Sequence, residues 1–358
     1  RVFHEKDLMS AGETGHMLLG EDFKYSTNQN FVFETPDNQG KTVWMRCSFV
    51  TKTYASTSLR FTANGVEQEY SPSDIVKASS NTPYTHCSEG VIEKNLNVTG
   101  DKITLGVSYN SSVTVHLARL NYLTLNYNRL MKMRDGKLDF RSSATAQKLR
   151  GATSETRVWD VTNPLEIKEM DKAVSGDAVI WTNAYTGRRE YTAWDENGTF
   201  PSPTYEGMVA NQNLHALEVP DMVIFTIGQW HAQAERIADL HRNSIDSLEV
   251  LVINQDEVFN EFSSGTRDVN SFRKMLKMFW DRGIDGAGGH KLKYALFMGR
   301  GSFDNRQLTP EVQALDFPMM PTWQSEGGFS DNDSYSTDDI FAFLSDGSGS
   351  NISADKLN

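Results

Sequence analysis

The rhythm of apolar and polar positions changes near residue 205, and that change divides the chain. Before it, apolar residues alternate with polar ones over short runs such as Val43-Trp-Met-Arg-Cys-Ser-Phe-Val50, which places every second side chain on one face of a strand. The same pattern predicts strands at 30–34, 42–53, 58–63, 96–98, 102–109, 113–127, 138–141, 155–160, 167–170 and 178–182. Asn64-Gly65, Asp135-Gly136 and Asn197-Gly198 supply hairpin-type turns between several of these runs. Many short strands at such spacing predict an antiparallel β-sandwich or jelly roll over residues 1–204. A linker is expected at 193–205, where an Asn-Gly step, Pro201 and Pro203 interrupt both periods.

Beyond that point the apolar runs become continuous. Asp221-Met-Val-Ile-Phe-Thr-Ile-Gly228, Ser247-Leu-Glu-Val-Leu-Val-Ile253 and Lys293-Tyr-Ala-Leu-Phe-Met-Gly299 read as strands covered on both faces. Between the first two, Ala234, Ile237, Ala238 and His241 recur at steps of three and four residues, which predicts a helix over 231–242. A second helix is expected over 269–280. Strands alternating with helices imply a parallel sheet with right-handed crossovers. The expected whole is an α+β multidomain protein, with the β part at 1–204 and an α/β part at 205–358.

Ligands of an open parallel sheet sit beyond the carboxyl ends of its strands, so the loops after Thr226, Ile253 and Met298 should meet at one rim. The last loop, Gly299-Arg-Gly-Ser-Phe-Asp-Asn305, holds two glycines that permit close backbone approach and an acid within the turn. Asp304 is therefore a substrate-pocket candidate, able to bind a substrate cation or orient a histidine, or else to cap its own turn through the Asn305 and Arg306 N–H groups. Arg300 reverses the local field of an acidic rim, or pairs with Asp304.

A formal charge of −12 excludes the basic face that nucleic-acid binding needs, so nucleic acid is not an expected partner. With 38% hydrophobic and 11% aromatic residues in 358, the chain has ample material for its cores, and no run approaches the roughly 20 apolar residues of a membrane helix. The two cysteines, Cys47 and Cys87, form either one disulfide or two buried thiols, and neither sits in the setting of an activated nucleophile. None of the eight histidines has metal-site spacing; His231 and His241, ten residues apart on one helix, stand about 15 Å apart and cannot share an ion. Asp331, Asp333, Asp338 and Asp339 form an oxygen-rich loop, read either as a calcium site or as a solvated acidic loop. Asp268 is expected to cap the second helix. Gly299-Arg-Gly alone falls short of a dinucleotide-binding fingerprint.

Several segments together carry a resemblance: the strand at 221–226, the helix with Ala234 and Leu240, Val258-Phe-Asn-Glu-Phe-Ser-Ser-Gly265 with Asp268 and Arg273, Tyr294-Ala-Leu-Phe-Met-Gly-Arg-Gly-Ser-Phe-Asp304, Pro321-Thr322, and Ser336-Thr-Asp-Asp-Ile-Phe-Ala-Phe-Leu-Ser-Asp346. They resemble the gingipain-type cysteine peptidase family, and within it the sortase branch of the type IX secretion system. Ala118-Arg-Leu-Asn-Tyr-Leu-Thr-Leu-Asn-Tyr-Asn-Arg129 and Val158-Trp-Asp-Val-Thr-Asn-Pro164 resemble the β-sandwich that precedes the peptidase part in that branch. The resemblance implies a caspase-like α/β domain of which residues 205–358 are the first part. It also implies calcium as a possible ligand, Asp346 near the specificity pocket, and a departure at Arg300, where the family often has an acid.

By the same resemblance, the activity is removal of C-terminal sorting domains from secreted cargo and attachment of that cargo to the cell surface. The partners it implies are cargo proteins, other secretion-system components and lipopolysaccharide, at the outer membrane. The family's histidine lies in a Gly-His-Gly segment with a cysteine roughly one strand later, and the chain contains no Gly-His-Gly. The fragment is thus expected to be inactive, without a required cofactor, and to have an unfinished sheet edge and mobile last residues. The alternative is a non-catalytic cargo- or glycan-binding module using aromatics such as Trp44, Tyr84 and Trp159.

Overall fold

The structure, a computed structural model, describes residues 1–12, 16–40, 42–77, 87–245, 247–330 and 334–349. Tyr84, Asp331, Asp333 and the last nine residues, on which some of the sequence expectations fall, lie outside the described residues.

The alternating strands build antiparallel sheets. One runs in the order Val2–Glu5, Leu117–Asn126, Thr42–Lys52, Ser88–Asn97, and a second in the order Asn28–Glu34, Lys102–Asn110, Thr57–Ala63, Val66–Glu67. Alternation turns one face of each inward, so Met45, Cys47 and Phe49 from the first and Leu59, Phe61, Leu105 and Val107 from the second join in a single buried cluster. Asn121 sits where the pairing of 117–126 with 42–52 slips register, and this bulge aims its amide at Ser48 Oγ, 3.0 Å away. Ser48 in turn hydrogen-bonds Glu89 at 2.5 Å.

Residues 131–195 hold a second apolar cluster, separate from the first, formed by Leu138, Leu149, Val158, Trp181, Tyr191 and Ala193. Its strands also pair antiparallel, in the orders Lys137–Ser142, Arg189–Asp195, Thr156–Asp160, Lys168–Glu169 and Ala146–Arg150, Ala178–Thr182, Ala173–Ser175. The linker begins later than the sequence suggested, because Ala193 is fully buried and pairs with both Leu138 and Val158.

In the last third, the strands Val250–Asn254, Met222–Thr226 and Tyr294–Met298 lie side by side in that order, and both pairings are parallel. All five residues of the central strand are buried. Met222 and Ile224 face Ala234 and Ala238 of helix α1 (His231–Arg242), while Val223 and Phe225 face the cluster containing Val258 and Phe259 of α2 (Gln255–Phe262) and Phe272, Met275 and Phe279 of α3 (Asn270–Arg282). Helices therefore cover both faces, as a continuous apolar strand requires. Helix α2 was not read from the apolar pattern, but its start is marked: Asn254 Oδ1 accepts from the Asp256 N–H while Glu257 reaches back to the Asn254 N–H at 3.1 Å. Asp268 accepts from the Asn270 N–H at 2.9 Å at the start of α3.

Glu261 on α2 secures the chain entering this part. Burial pushes its carboxyl up, but hydrogen bonds from the Leu214 N–H, the Gln212 amide and His215 outweigh that and hold it at about 2. No described helix is long and apolar enough to cross a membrane, which says nothing of β-barrels.

Candidate functional site

The Tyr294–Met298 strand delivers the chain to the rim, where Gly299 to Asn305 turns back against residues 320–324. The Met320 N–H donates to the Arg300 carbonyl at 3.0 Å, and Asn305 acts as a surrogate strand, donating to the Thr322 carbonyl at 2.6 Å and accepting from its N–H at 2.7 Å. The Gln324 amide donates to the Phe303 carbonyl at 2.5 Å. A Cβ on Gly301 would come within 1.9 Å of Thr322 Oγ1, so the close approach expected of this glycine is real.

This turn separates two clefts. The front one, of ≈ 380 Å³, lies at the carboxyl edge of the sheet and is lined by Phe297, Gly299, Gly301, Ser302, Phe303, Met320, Pro321, Thr322, Ser336, Thr337 and Asp338. Phe297 in its lining is packed among aromatic rings, stacking on Phe341 at 4.2 Å and lying 5.1 Å from Phe225. The back cleft, of ≈ 630 Å³, opens between the turn and the N-terminal sheets, and Phe303 lines both.

The sequence candidates part company here. Asp304 is 2% exposed and lines the back cleft; its Oδ2 accepts from the Thr309 N–H at 2.6 Å and Thr309 Oγ1 at 2.8 Å. It caps a turn, but through Thr309 rather than the N–H groups of Asn305 and Arg306. Arg300 is exposed and has no ion pair among the described residues, so it does not pair with Asp304. Asp346 lies at the surface, 2.8 Å from Lys277 Nζ on α3, and that ammonium holds its carboxyl below the usual range. These three residues are each engaged differently and line no common cleft. Asp338 is exposed and lines the front cleft. Asp331 and Asp333 lie outside the described residues, and among the described residues no three His, Cys, Asp or Glu side chains converge to hold a metal ion.

The cysteines are two free buried thiols rather than a disulfide. Burial pushes the Cys47 thiol far up, with Asp74 adding to it, and raises Cys87 to about 11. Neither carries a thiolate near neutral pH. Among the described residues no Cys or His lines the front cleft; its polar groups are the Asp338 carboxylate and the hydroxyls of Ser302, Thr322, Ser336 and Thr337.

Thr322 of the front cleft, Gln324 of the back cleft and Phe303, which lines both, were not singled out from sequence as site residues. A two-residue strand, Trp323–Gln324, is too short to leave a period.

Comparison with known proteins places this arrangement. Residues 215–357 match the family model of Peptidase family C25, the gingipain family to which the residues were already seen to be similar. The whole chain also overlays the crystal structure of dimeric latent PorU from Porphyromonas gingivalis, with a TM-score of 0.84 and 23% identity. That overlay covers 100% of this chain and 35% of the PorU chain, so the chain spans about a third of the length of that protein, whose fold it shares. A cycloisomaltooligosaccharide glucanotransferase of Paenibacillus sp. overlays 53% of the chain and 45% of its own at a TM-score of 0.24 and 9% identity, too little to carry an argument. No curated protein matches.

Proposed function

We propose that this chain is part of a type IX secretion sorting peptidase, a cysteine endopeptidase that removes C-terminal sorting domains from secreted cargo and attaches the cargo to the cell surface. The observation that carries the reading is the Peptidase family C25 match over 215–357, which falls on the parallel sheet and includes the segments that form the front cleft. In this reading residues 205–358 begin a caspase-like α/β domain, and the antiparallel sheets before it form a β-sandwich region that presents cargo. The complete protein attacks a peptide carbonyl with a thiolate while a histidine moves the proton and backbone N–H groups hold the oxyanion. The front cleft then serves as a wall of the substrate groove, and the 358-residue chain itself does not hydrolyse peptides. Calcium at the acidic loop of Asp331, Asp333 and Asp338, contacts with other secretion-system components, and an outer-membrane location belong to the same proposal.

The test is to immobilise the 358-residue chain and present a cargo protein with and without its C-terminal sorting domain. Retention that requires the sorting domain, with the cargo recovered intact, is expected; equal retention of both forms overturns the reading.

A second reading, a non-catalytic glycan-binding module, draws on one observation. A cleft of ≈ 1210 Å³ is lined by Trp44, Tyr127 and Phe140 together with Arg129, Arg134 and Arg141. Trp159 does not join it, being packed edge-on against Trp194 at 4.4 Å. Lipopolysaccharide that binds residues 1–358 and is displaced by Trp44→Ala supports this reading; indifference to the substitution rules it out.

A further inference from the structure

A strand edge in the antiparallel half borders a cleft with its backbone open. Strand Lys137–Ser142 pairs with Arg189–Asp195 on one side and ends its sheet on the other. The Asp195 N–H donates to the Gly136 carbonyl at 2.8 Å, so the alternation of an antiparallel ladder assigns the backbone groups of Leu138, Phe140 and Ser142 to that pairing and points those of Lys137, Asp139 and Arg141 away from it. Lys137 closes its own turn, exchanging backbone hydrogen bonds with Arg134 at 3.1 and 3.3 Å. The N–H and carbonyl groups of Asp139 and Arg141 meet no further strand, loop or side chain among the described residues.

All six residues of this strand line the cleft of ≈ 1210 Å³ that is also lined by Trp44 and Asn126 of the first antiparallel sheet. A sheet face would offer a cleft only every second residue, so what is presented is the edge. The volume exceeds the roughly 300–1,000 Å³ of a small-molecule site and suits a segment of chain. Charge restricts what can be added. Lys137, Asp139 and Arg141 are the exposed residues of the strand, and two copies paired antiparallel about Asp139 would set Lys137 against Arg141 and the two Asp139 carboxylates against each other. Arg129 and Arg134, which line the cleft, share Asp37 at 3.3 Å each, whereas Lys137, Arg141 and Arg188 line it with no ion pair among the described residues. Six basic and three acidic side chains line this cleft in a chain of formal charge −12, so its field favours an acidic occupant.

We propose that the open edge of Lys137–Ser142 takes up an extended acidic segment of another polypeptide as an added strand, held by the backbone groups of Asp139 and Arg141 and selected by the charges of Lys137, Arg141 and Arg188. The backbone groups bind any sequence, and the side chains set the register: acids opposite Lys137 and Arg141, apolar residues opposite Leu138 and Phe140. A glycan can stack on Trp44 and meet the guanidinium groups, but it cannot extend a ladder, and the open edge is what favours a polypeptide. The site draws on neither the peptidase match nor a bound glycan, so it stands or falls apart from the function proposed above.

The test titrates the isotopically labelled 358-residue chain with the end-blocked heptapeptide Val-Glu-Val-Thr-Val-Glu-Val, its counterpart with Lys for Glu, and polygalacturonate as an anionic glycan, following the backbone amides of residues 138–141 by NMR. Saturable shifts with the acidic peptide, larger at Asp139 and Arg141 than at Leu138 and Phe140, are expected, with the basic peptide roughly tenfold weaker or more. Two N-methylated forms of the acidic peptide read the ladder on the unaltered protein. Methylating the Glu and Thr nitrogens ends binding if the added strand is antiparallel, and methylating the Val nitrogens ends it if the strand is parallel, the other form binding in each case. Asp139→Pro removes an outward N–H without touching the pairing to 189–195 and is expected to weaken binding about fivefold or more. Should that variant fail to fold, Arg141→Glu at the exposed face carries the test, with an expected loss of about fivefold. Any of five results overturns the proposal: no saturable shift with the acidic peptide; equal affinity for the acidic and basic peptides; equal affinity for the two methylated forms; polygalacturonate shifting these amides where the peptide does not; or the same shifts appearing as the chain alone is concentrated, which marks a second copy as the occupant.

Discussion

Asp74 and Asp304 are both buried carboxylates, 0% and 2% exposed, but they lie in different halves of the molecule and are treated differently. Asp74, between the strands of the first antiparallel pair of sheets, is met by Lys94 Nζ at 2.5 Å and by the Ser71 N–H at 3.0 Å. Asp304, beyond the carboxyl end of the parallel sheet, is met by Thr309 alone and borders an open cleft. The first acid is neutralised by a cation supplied within the fold, and the second is not. Each of the two carboxylates leaves its Oδ1 without a partner among the described residues, so what separates them is the cation: Lys94 supplies one to Asp74, and Asp304 has only the donors of Thr309.

The contrast is sharpened most by matched substitutions. Asp74→Asn leaves Lys94, whose side chain is only 10% exposed, buried without its partner, and a loss of about 3–5 kcal/mol in denaturant unfolding is expected. Asp304→Asn strands no cation and should cost less than about 1 kcal/mol in the same measurement. Equal costs for the two would erase the distinction.

Glu261 offers an intermediate case, a carboxylate satisfied by N–H groups. Glu261→Gln should cost roughly 1–3 kcal/mol. Its carboxyl is held at about 2 against an ordinary 4.5, so its contribution is fully present above about pH 4.5 and fades as pH falls toward 2. A pH series of unfolding midpoints in which wild type and Glu261→Gln converge at low pH checks the sign; divergence there contradicts it. Smaller and more local is Gly301→Ala. The added methyl meets a β-branched side chain at 1.9 Å, and the expected result is a loss of about 1–2 kcal/mol with changed NMR shifts at Thr322 and little change in the antiparallel cores.

The same division governs what could be read from the sequence. The parallel sheet was legible because each strand is a continuous apolar run, and Met222–Thr226 is buried at all five positions. The antiparallel strands were legible where alternation was clean, as in Thr42–Lys52. Ser88–Asn97 was mostly missed because, as an edge strand, it buries only Ile92 and Leu96, leaving a polar sequence with little period. Arg189–Asp195 was hidden by the prolines and Asn-Gly step that follow it. At the candidate site, Asp304 and the need for Gly301 were legible as loop features at a strand end. Which cleft Asp304 borders, and the role of Gln324, were not, because both depend on how residues 299–305 pack against 320–324 and against a sheet some two hundred residues earlier.

The function proposed for this chain makes residues 1–358 a cargo-facing scaffold and part of a peptidase groove that does not itself cleave. Mass spectrometry of cargo bearing its C-terminal sorting domain, incubated under reducing conditions with the purified 358-residue chain, tests it most directly. Intact cargo at all times is the predicted result. A discrete cleavage product that disappears in Cys47→Ser or Cys87→Ser would contradict it.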